Sequence, residues 1–254
     1  MSTKSYGIGR IIMNNVLIFA GGTGVRMNAE MPKQFMVVHG KPVIIHTLEK
    51  FNSCLDINKI VVVCLSDYID YLKDLILKFK ISKVVKVVSG GKTGQESIYN
   101  GLKYLHDNVD QDGLVLIHDG VRPLIDEKTI KKNIEIASKF GNCITSTKSQ
   151  ETIIYDGDSP LVLDRSNSYL GRAPQTFRIK DIYNSHLKAI SEKKFNFVDS
   201  AMLMTHYGFK LNIIEGPKEN IKITTPLDYF LFKAILDAQE SSINFGDKYD
   251  GKTN

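Results

Sequence analysis

The sequence predicts an α/β protein with a mostly parallel central sheet. Short, continuously apolar runs alternate along most of the chain with longer segments of helical character. Such unbroken apolar runs are typical of strands that helices cover on both faces of a sheet. Glycines follow several of the runs, at the sheet edge where α/β proteins bind their ligands.

The predicted elements follow one another in regular alternation. We predict strands over 14–20, 59–65, 84–88, 113–118 and 142–147. We predict helices over 43–52, 67–79, 95–107, 127–139, 179–191, 199–207 and 226–240. Pro42 and Pro226 stand where the first turn of a helix begins, a position that suits proline.

Residues 148–172 interrupt this alternation. Two short strand-like runs surround the turn residues 156–160, which predicts a β-hairpin. This arm either reaches a partner subunit or is a plain excursion on the surface. We predict a single domain over 13–240, a disordered lead over 1–12 and a polar, frayed tail over 241–254.

Composition narrows the functional classes. The chain has 254 residues, 43% of them apolar and 24% charged, as in ordinary globular proteins. Its net charge of +5 suits small anionic substrates and equally a neutral surface with some excess lysine, and no basic stripe with interleaved aromatic residues points to nucleic acid. No apolar run approaches the ~20 residues of a membrane span, and the start does not resemble a signal peptide. Three scattered cysteines favour reduced thiols, so we expect a cytoplasmic protein without a membrane partner.

The clearest functional motif follows the first predicted strand. Three glycines within four residues precede two cations, Arg26 and Lys33. Bare backbone N–H groups beside fixed cations suit a chain of phosphates. A tight turn with solvated charges is the alternative. The residues of this glycine loop are Ala20, Gly21, Gly22, Thr23 and Gly24.

Two further loops are expected at the same edge of the sheet. Gly91 and Ser97, after the third strand, suit contacts with a base and a ribose, or simply a turn before a helix. Asp119, at the end of the fourth strand, suits Mg²⁺ bound directly or through water; the alternatives are a helix N-cap and an ion pair with Arg122. Because parallel strands end at one edge, the three loops together predict a nucleotide site.

Six motifs occur in order along the chain, and the sequence that carries them resembles a family of cytidylyltransferases. The motifs are AGGTGVRM with PKQF, GKPVIIHT, GGxxxxxS, HDGVRP, APQTF and NIKITTPxD. The family comprises 2-C-methyl-D-erythritol 4-phosphate cytidylyltransferase and ribitol-5-phosphate cytidylyltransferase. The similarity covers about residues 14–240. Lys92, Gly94 and Gly120 depart from the residues usual in the family, close to where the base is bound.

The resemblance implies a Rossmann-like nucleotidyltransferase fold whose β-arm forms a homodimer. It also implies transfer of a cytidylyl group from CTP to a polyol phosphate, with Mg²⁺ as cofactor. By position in the motifs, the catalytic residues are Arg26, Lys33 and Lys222. The nucleotide-binding residues are Ala20, Gly21, Gly22, Thr23, Gly24, Gly91, Ser97 and Asp119. The polyol-phosphate residues are Thr152, Arg165 and Asp199, with Arg165 offered across the dimer.

The motifs leave the acceptor open. Those around Gly22 and Arg172 are closer to the ribitol 5-phosphate enzymes, which supply cell-surface glycopolymers such as teichoic acid or capsule. The spacing from Arg26 to Lys33 is closer to the methylerythritol type of isoprenoid synthesis.

Two other functional hypotheses compete with polyol cytidylyl transfer. One is a sugar-1-phosphate nucleotidyltransferase using UTP or GTP. The NIKITTP motif argues against this hypothesis. The other is a non-catalytic nucleotide-binding scaffold. A scaffold has no chemical need for the full set of Arg26, Lys33, Asp119 and Lys222, which the chain retains.

Overall fold

The computed structural model describes residues 13–22 and 31–240. Its strands are β1 (Asn14–Ala20), β2 (Val37–Val38), β3 (Lys41–Pro42), β4 (Lys59–Cys64), β5 (Val84–Ser89), β6 (Leu114–Asp119), β7 (Asn142–Lys148), β8 (Ile154–Tyr155), β9 (Leu161–Val162), β10 (Tyr169–Arg178) and β11 (Ile213–Glu215). Its helices are α1 (Val43–Ser53), α2 (Ile69–Lys78), α3 (Gly94–Asn108), α4 (Glu127–Phe140), α5 (Ile179–Ser191), α6 (Ser200–His206) and α7 (Pro226–Glu240). None of these helices is long and apolar enough to cross a bilayer. The lead and the tail predicted from sequence lie outside the described residues.

Seven of the described strands form one sheet in the order β11-β7-β10-β6-β1-β4-β5. Strand β1 pairs in parallel with β4 and β6, and β5 and β11 extend the sheet in parallel at its two edges. Strand β10 runs antiparallel to both of its neighbours, β6 and β7. The predicted α/β class with a mostly parallel sheet is therefore confirmed.

Strand β10 is the main element that the sequence prediction missed. It contains Gly171 and Pro174, and both residues argue against a strand inside a sheet. The sheet accommodates them because the register with β7 shifts between Gly171 and Gln175. Regular pairing resumes at Gln175, opposite Ile144 of β7 and Ile117 of β6. Residues 169–178, which include the end of the predicted arm, therefore lie in the middle of the sheet.

Helices cover both faces of the sheet, as the unbroken apolar strands predict. On β1, Val16 and Ile18 belong to the core shared with α1 and α2. Leu17, between them, belongs to the core shared with α3 and α5. Alternate side chains of one strand thus enter two separate cores, which explains why no polar residue interrupts the run 16–20.

The hairpin predicted in the arm is present. Ile154 pairs with Val162, and Tyr155 pairs with Leu161, in the two strands β8 and β9. All four side chains are exposed, by 56% to 64%. An isolated two-stranded hairpin is marginally stable in water. Exposed apolar clusters of this kind are typical of surfaces that contact another protein.

Gly101 sets how closely α3 approaches the sheet. A Cβ atom at this position would overlap the Leu17 side chain and lie 2.9 Å from Val63 Cγ2. We expect Gly101→Ala to lower the free energy of unfolding by about 1–3 kcal/mol, because overpacking outweighs the better helix propensity of alanine. Urea denaturation measures this loss. Lys103→Ala, at an exposed position of the same helix, is the control, and an equal loss there would contradict the explanation.

His39 joins the β2–β3 turn to the last helix. Its Nε2 lies 2.6 Å from Asp237 Oδ1 and its Nδ1 lies 2.9 Å from Glu240 Oε1. Hydrogen bonds to Glu240 and Asp237 raise the pKa of His39 above its ordinary value. The protonated pairing therefore stabilises the fold below pH ~6.5, and this stabilisation is lost as the pH rises through the raised pKa.

An NMR titration of the imidazole tests this pairing. We expect a pKa for His39 above 6.5 in the native protein, and a lower pKa in Asp237→Asn, because one anionic acceptor is removed. The same pKa in both proteins would show that the contact does not form in solution.

Candidate active site

The glycine loop and Asp119 start side by side because β1 and β6 are neighbours in the sheet. Phe19 pairs with Asp119 in register, and Gly120 N donates to Phe19 O at 2.8 Å. The carboxyl ends of β4 and β5 lie next in order on the same edge. The sheet topology therefore brings the loops that follow β1, β5 and β6 to one edge.

Gln34 holds the described part of the glycine loop in place. Its side chain is buried, and Nε2 donates to Ala20 O at 2.9 Å and to Gly22 O at 3.1 Å. Because Gln34 belongs to the short 3-10 helix Lys33–Phe35, these bonds position that turn against the loop. Lys33 is thereby kept beside the glycine loop. The other predicted loop residues, Thr23, Gly24 and Arg26, lie outside the described residues.

Ser97 ties the second glycine turn to the start of α3. Its Oγ accepts from Gly91 N at 2.9 Å and donates to Thr93 O at 2.8 Å. A Cβ atom added to Gly21 would lie 3.3 Å from this Oγ, and one added to Gly90 would lie 3.2 Å from it. Ala20, Gly21, Gly91 and Ser97 therefore come from three chain segments to one place. The structure gives Ser97 a role in shaping the turn, which pattern alone did not reveal.

Asp119 lies between two cations. Lys222 Nζ is 2.8 Å from Asp119 Oδ1, and Arg122 Nε is 2.7 Å from Asp119 Oδ2. Burial raises the pKa of Asp119, but the charges of Lys222 and Arg122 outweigh this effect and lower it to about 2. The carboxylate therefore stays ionised at every physiological pH. The ion pair with Arg122, one of the sequence interpretations of Asp119, is therefore present in the structure.

Lys222 reaches Asp119 because its segment is fastened to the loop after β6. Arg122 Nη1 donates to Asn220 O at 3.0 Å, and Ile223 N donates to Val121 O at 2.9 Å. Ile223 is fully buried, whereas the Lys222 side chain is 40% exposed. The alternation of lysine with isoleucine thus separates a core face from a face directed at the site. The structure assigns no strand to this extended segment.

A cavity of about 210 Å³ lies beside this ion cluster. The charged residues of its lining are Asp119, Arg122, Arg172, Asp199 and Lys222. Its other lining residues include Phe19 of β1, Gly94, Gln95 and Ile98 of α3, His118 of β6, Gln175 of β10, His186 of α5, and Phe197, Ser200 and Leu203 in and before α6.

Three of these lining residues, Arg172, Gln175 and His186, were not predicted from the sequence as site residues. Arg172 and Gln175 flank or belong to the APQTF motif, so the motif was a signal that could have found them. His186 lies in an ordinary amphipathic helix and carried no such signal.

The three predicted polyol-phosphate residues are not all together. Asp199 lines the cavity, accepts from Met202 N at 2.8 Å as the cap of α6, and accepts from Gln175 Nε2 at 3.0 Å. Thr152 and Arg165 belong to the arm, where both are exposed and neither lines the cavity. Arg165 Nη1 instead donates to Gln150 O at 3.3 Å. Within one chain, the arm therefore does not complete the pocket.

Asp119 offers one carboxylate ligand for Mg²⁺, and the remaining ligands would have to come from substrate phosphates and water. Asp119 is an ionised oxygen donor at the edge of the cavity, and Mg²⁺ is usually held by one or two carboxylates together with substrate phosphates and water. Over residues 13–22 and 31–240, histidine, cysteine, aspartate and glutamate form no group of three that could hold a metal ion. This donor set fits a metal that arrives with a nucleotide.

Comparison with known proteins agrees with this geometry. The family model of IspD, 2-C-methyl-D-erythritol 4-phosphate cytidylyltransferase, matches residues 14–238. A ribitol-5-phosphate cytidylyltransferase of Vibrio parahaemolyticus is 48% identical over 238 residues, which are 92% of this chain and 100% of the relative. One of Streptococcus agalactiae serotype V is 46% identical over 239 residues, with the same coverage.

A solved structure extends the comparison to the fold. The 4-diphosphocytidyl-2C-methyl-D-erythritol synthase of Anaerococcus prevotii superposes with a TM-score of 0.77 at 31% identity, covering 89% of this chain and 96% of that one. The sequence matches and the superposition agree over nearly the whole described chain. The chain therefore belongs to the 2-C-methyl-D-erythritol 4-phosphate cytidylyltransferase family of nucleotidyltransferases.

Proposed function

We propose that this protein transfers the cytidylyl group of CTP to D-ribitol 5-phosphate. A phosphate oxygen of the acceptor attacks the α-phosphorus of CTP, and the bond from that phosphorus to the β-phosphate oxygen breaks. The products are CDP-ribitol and pyrophosphate. The observation that carries this proposal is the cluster of Asp119, Arg122 and Lys222 beside a cavity, at the edge where the glycine loop begins.

Charge is what this reaction requires of the protein. The acceptor phosphate is already an anionic nucleophile, so no strong general base is needed, but two anions must approach each other. Lys222 at the ion cluster, Lys33 beside the glycine loop and Arg26 supply positive charge for the crowded α-phosphorus. Mg²⁺, held by Asp119 and the nucleotide phosphates, supplies further charge neutralisation when bound.

The glycine turns serve the nucleotide in this proposal. We assign the triphosphate to the glycine loop from Ala20 to Gly24, and cytosine and ribose to Gly91 and Ser97, whose backbone N–H and hydroxyl are hydrogen-bonded to each other. Absence of side chains in the glycine loop lets a ligand approach its backbone closely.

The acceptor is proposed as ribitol 5-phosphate because the relatives at 46% and 48% identity carry that name. 2-C-methyl-D-erythritol 4-phosphate is the second candidate, supported by the family description and by the similar solved structure. The two acceptors lead to different products, a precursor of cell-surface glycopolymer or of isoprenoids. Both share a phosphate and a short polyhydroxylated chain.

We propose further that the arm makes a homodimer and offers Arg165 and Thr152 to the partner's cavity. Two observations support this: neither residue lines the cavity of its own chain, and the apolar side chains of β8 and β9 are exposed. We place the enzyme in the cytoplasm, because Cys54, Cys64 and Cys143 are buried as free thiols, which suits a reducing compartment.

Pyrophosphate release tests the function directly. We expect release with CTP and ribitol 5-phosphate in the presence of Mg²⁺, and little with UTP, GTP or ATP. Parallel reactions with 2-C-methyl-D-erythritol 4-phosphate and glycerol 3-phosphate identify the preferred acceptor. Release with methylerythritol phosphate alone would replace the acceptor, release with UTP or GTP alone would replace the nucleotide, and CTP binding without any release would indicate a scaffold.

A further inference from the structure

The cavity contains two buried polar side chains that nothing in the described chain satisfies. His186, on α5, is 2% exposed, and neither ring nitrogen has a hydrogen-bond partner among the described residues. Ser200, on α6, is 3% exposed, and within the same part of the chain its Oγ also has no partner. Both residues line the cavity. Burying a polar group without a partner is unfavourable, so such groups mark a place where something else binds.

The other uncharged polar side chains of the cavity are already used. Gln95 donates to Lys194 O at 2.9 Å and accepts from Phe197 N at 3.2 Å. Gln175 accepts from Ala201 N at 2.9 Å and donates to Asp199. These two glutamines hold the walls of the cavity together. His118 also lines the cavity, but its ring packs on Phe51 of α1 and its Nε2 donates to Arg122 O at 3.1 Å, which leaves only its Nδ1 without a partner among the described residues. His186 and Ser200 are therefore the uncharged polar lining residues of the described chain whose side chains make no hydrogen bond at all.

The chemistry of the two residues points to hydroxyl groups. Burial lowers the pKa of His186 to about 4, so the ring is neutral at physiological pH and offers one donor and one acceptor. The Ser200 hydroxyl likewise donates and accepts. A phosphate would instead be drawn to Arg122, Arg172 and Lys222, which line the same cavity. The cavity thus has cations for a phosphate and neutral groups for hydroxyls.

We propose that His186 and Ser200 bind the hydroxyl groups of the polyol that are remote from its phosphate, and so select the acceptor. This inference rests on the proposed transfer to a polyol phosphate and adds the residues that recognise the polyol chain. The competing occupant is an internal water molecule that satisfies both side chains and has no part in recognition.

Analogues that lack one hydroxyl test the proposal. The wild-type enzyme is assayed with ribitol 5-phosphate, 1-deoxyribitol 5-phosphate and 2-deoxyribitol 5-phosphate. We expect kcat/KM for at least one deoxy analogue to be about 10- to 100-fold lower, the effect of one lost buried hydrogen bond. In His186→Leu, kcat/KM with ribitol 5-phosphate should fall by a similar factor. The ratio of kcat/KM for ribitol 5-phosphate to kcat/KM for the affected deoxy analogue, which is the preference, should then shrink to about threefold or less.

Matched variants separate recognition from stability. His186→Gln keeps a donor and an acceptor, so it should restore much of the preference that His186→Leu loses. His106→Leu makes the same chemical change to a ring that stacks on Tyr183 of α5 outside the cavity, and should leave the preference unchanged. If His186→Leu does not fold, Ser200→Ala, a smaller change in the same cavity, takes its place in the assay and should also reduce the preference for ribitol 5-phosphate. In every folded variant the KM for CTP should stay within about twofold of the wild-type value.

Two outcomes would overturn the inference, and they are distinguishable from failure of the proposed function. One is a His186→Leu enzyme that is less stable to heat yet keeps the full preference for ribitol 5-phosphate, as a structural water predicts. The other is a wild-type enzyme that makes CDP-ribitol but accepts both deoxy analogues equally well. A wild-type enzyme that forms no CDP-polyol with any acceptor refutes the proposed function itself, and the inference with it.

Discussion

Lys222→Ala should lower kcat/KM for cytidylyl transfer by about 100- to 1,000-fold, the effect known for removing one preorganised donor that stabilises transition-state charge. The fold should survive, because Asp119 keeps Arg122 as its partner at 2.7 Å. Lys222 is 40% exposed whereas Asp119 is 16% exposed, so we expect some loss of stability beside the much larger loss of activity. Steady-state kinetics with CTP and the acceptor, together with thermal denaturation, measure both effects.

Lys218→Ala is the matched control for this prediction. Lys218 lies in the turn just before the segment that carries Lys222, and it takes no part in the ion cluster. Its loss removes one positive charge from the same region and should change kcat/KM by less than about twofold. Equal losses in the two variants would mean that net charge, and not the position of Lys222, drives the reaction.

Mixing Arg165→Ala with Lys222→Ala should restore activity that neither variant has alone. Each variant should be strongly impaired, because one lacks the arm's cation and the other lacks the cation of the ion cluster. In a mixed dimer, one cavity retains Lys222 and receives Arg165 from the other chain. Random exchange of subunits makes about half of the dimers mixed, so roughly a quarter of all sites should be complete.

Subunit exchange must be verified for this experiment to be decisive. Differently tagged variants that co-purify after mixing show that mixed dimers have formed. Activity of the exchanged mixture near a quarter of the wild-type value supports a shared site, whereas mixed dimers without any recovery would contradict it. Full activity of Arg165→Ala by itself would remove the arm from the reaction altogether.

Much of the site was predictable from sequence because its signals are local. A glycine run after an apolar strand, with cations close behind, is a property of about 15 neighbouring residues. The strand–helix alternation then predicts that these strands run parallel, and parallel strands place the ends of β1, β5 and β6 on one edge. For that reason the positions of Gly21, Gly91 and Asp119 at one edge of the sheet could be predicted from the sequence alone.

What the sequence could not show depends on packing between distant segments. No strand was predicted over β10, where Gly171 and Pro174 oppose strand formation locally, yet pairing on both sides with β6 and β7 outweighs that preference. Its place in the sheet brings Arg172 and Gln175 into the cavity lining. The pairing of Asp119 with Lys222 likewise joins residues far apart in the chain.

The sequence by itself determined the fold class and the loops that suit a nucleotide, because periodicity and turn chemistry are properties of neighbouring residues. The family followed from the resemblance of six ordered motifs to those of known cytidylyltransferases. The tertiary structure decided which charges meet, which face of α5 carries an unsatisfied histidine into the cavity, and that Arg165 lies outside the cavity of its own chain. Those features depend on strand register and helix packing, which many weak, long-range contacts set together and no short stretch of sequence encodes alone.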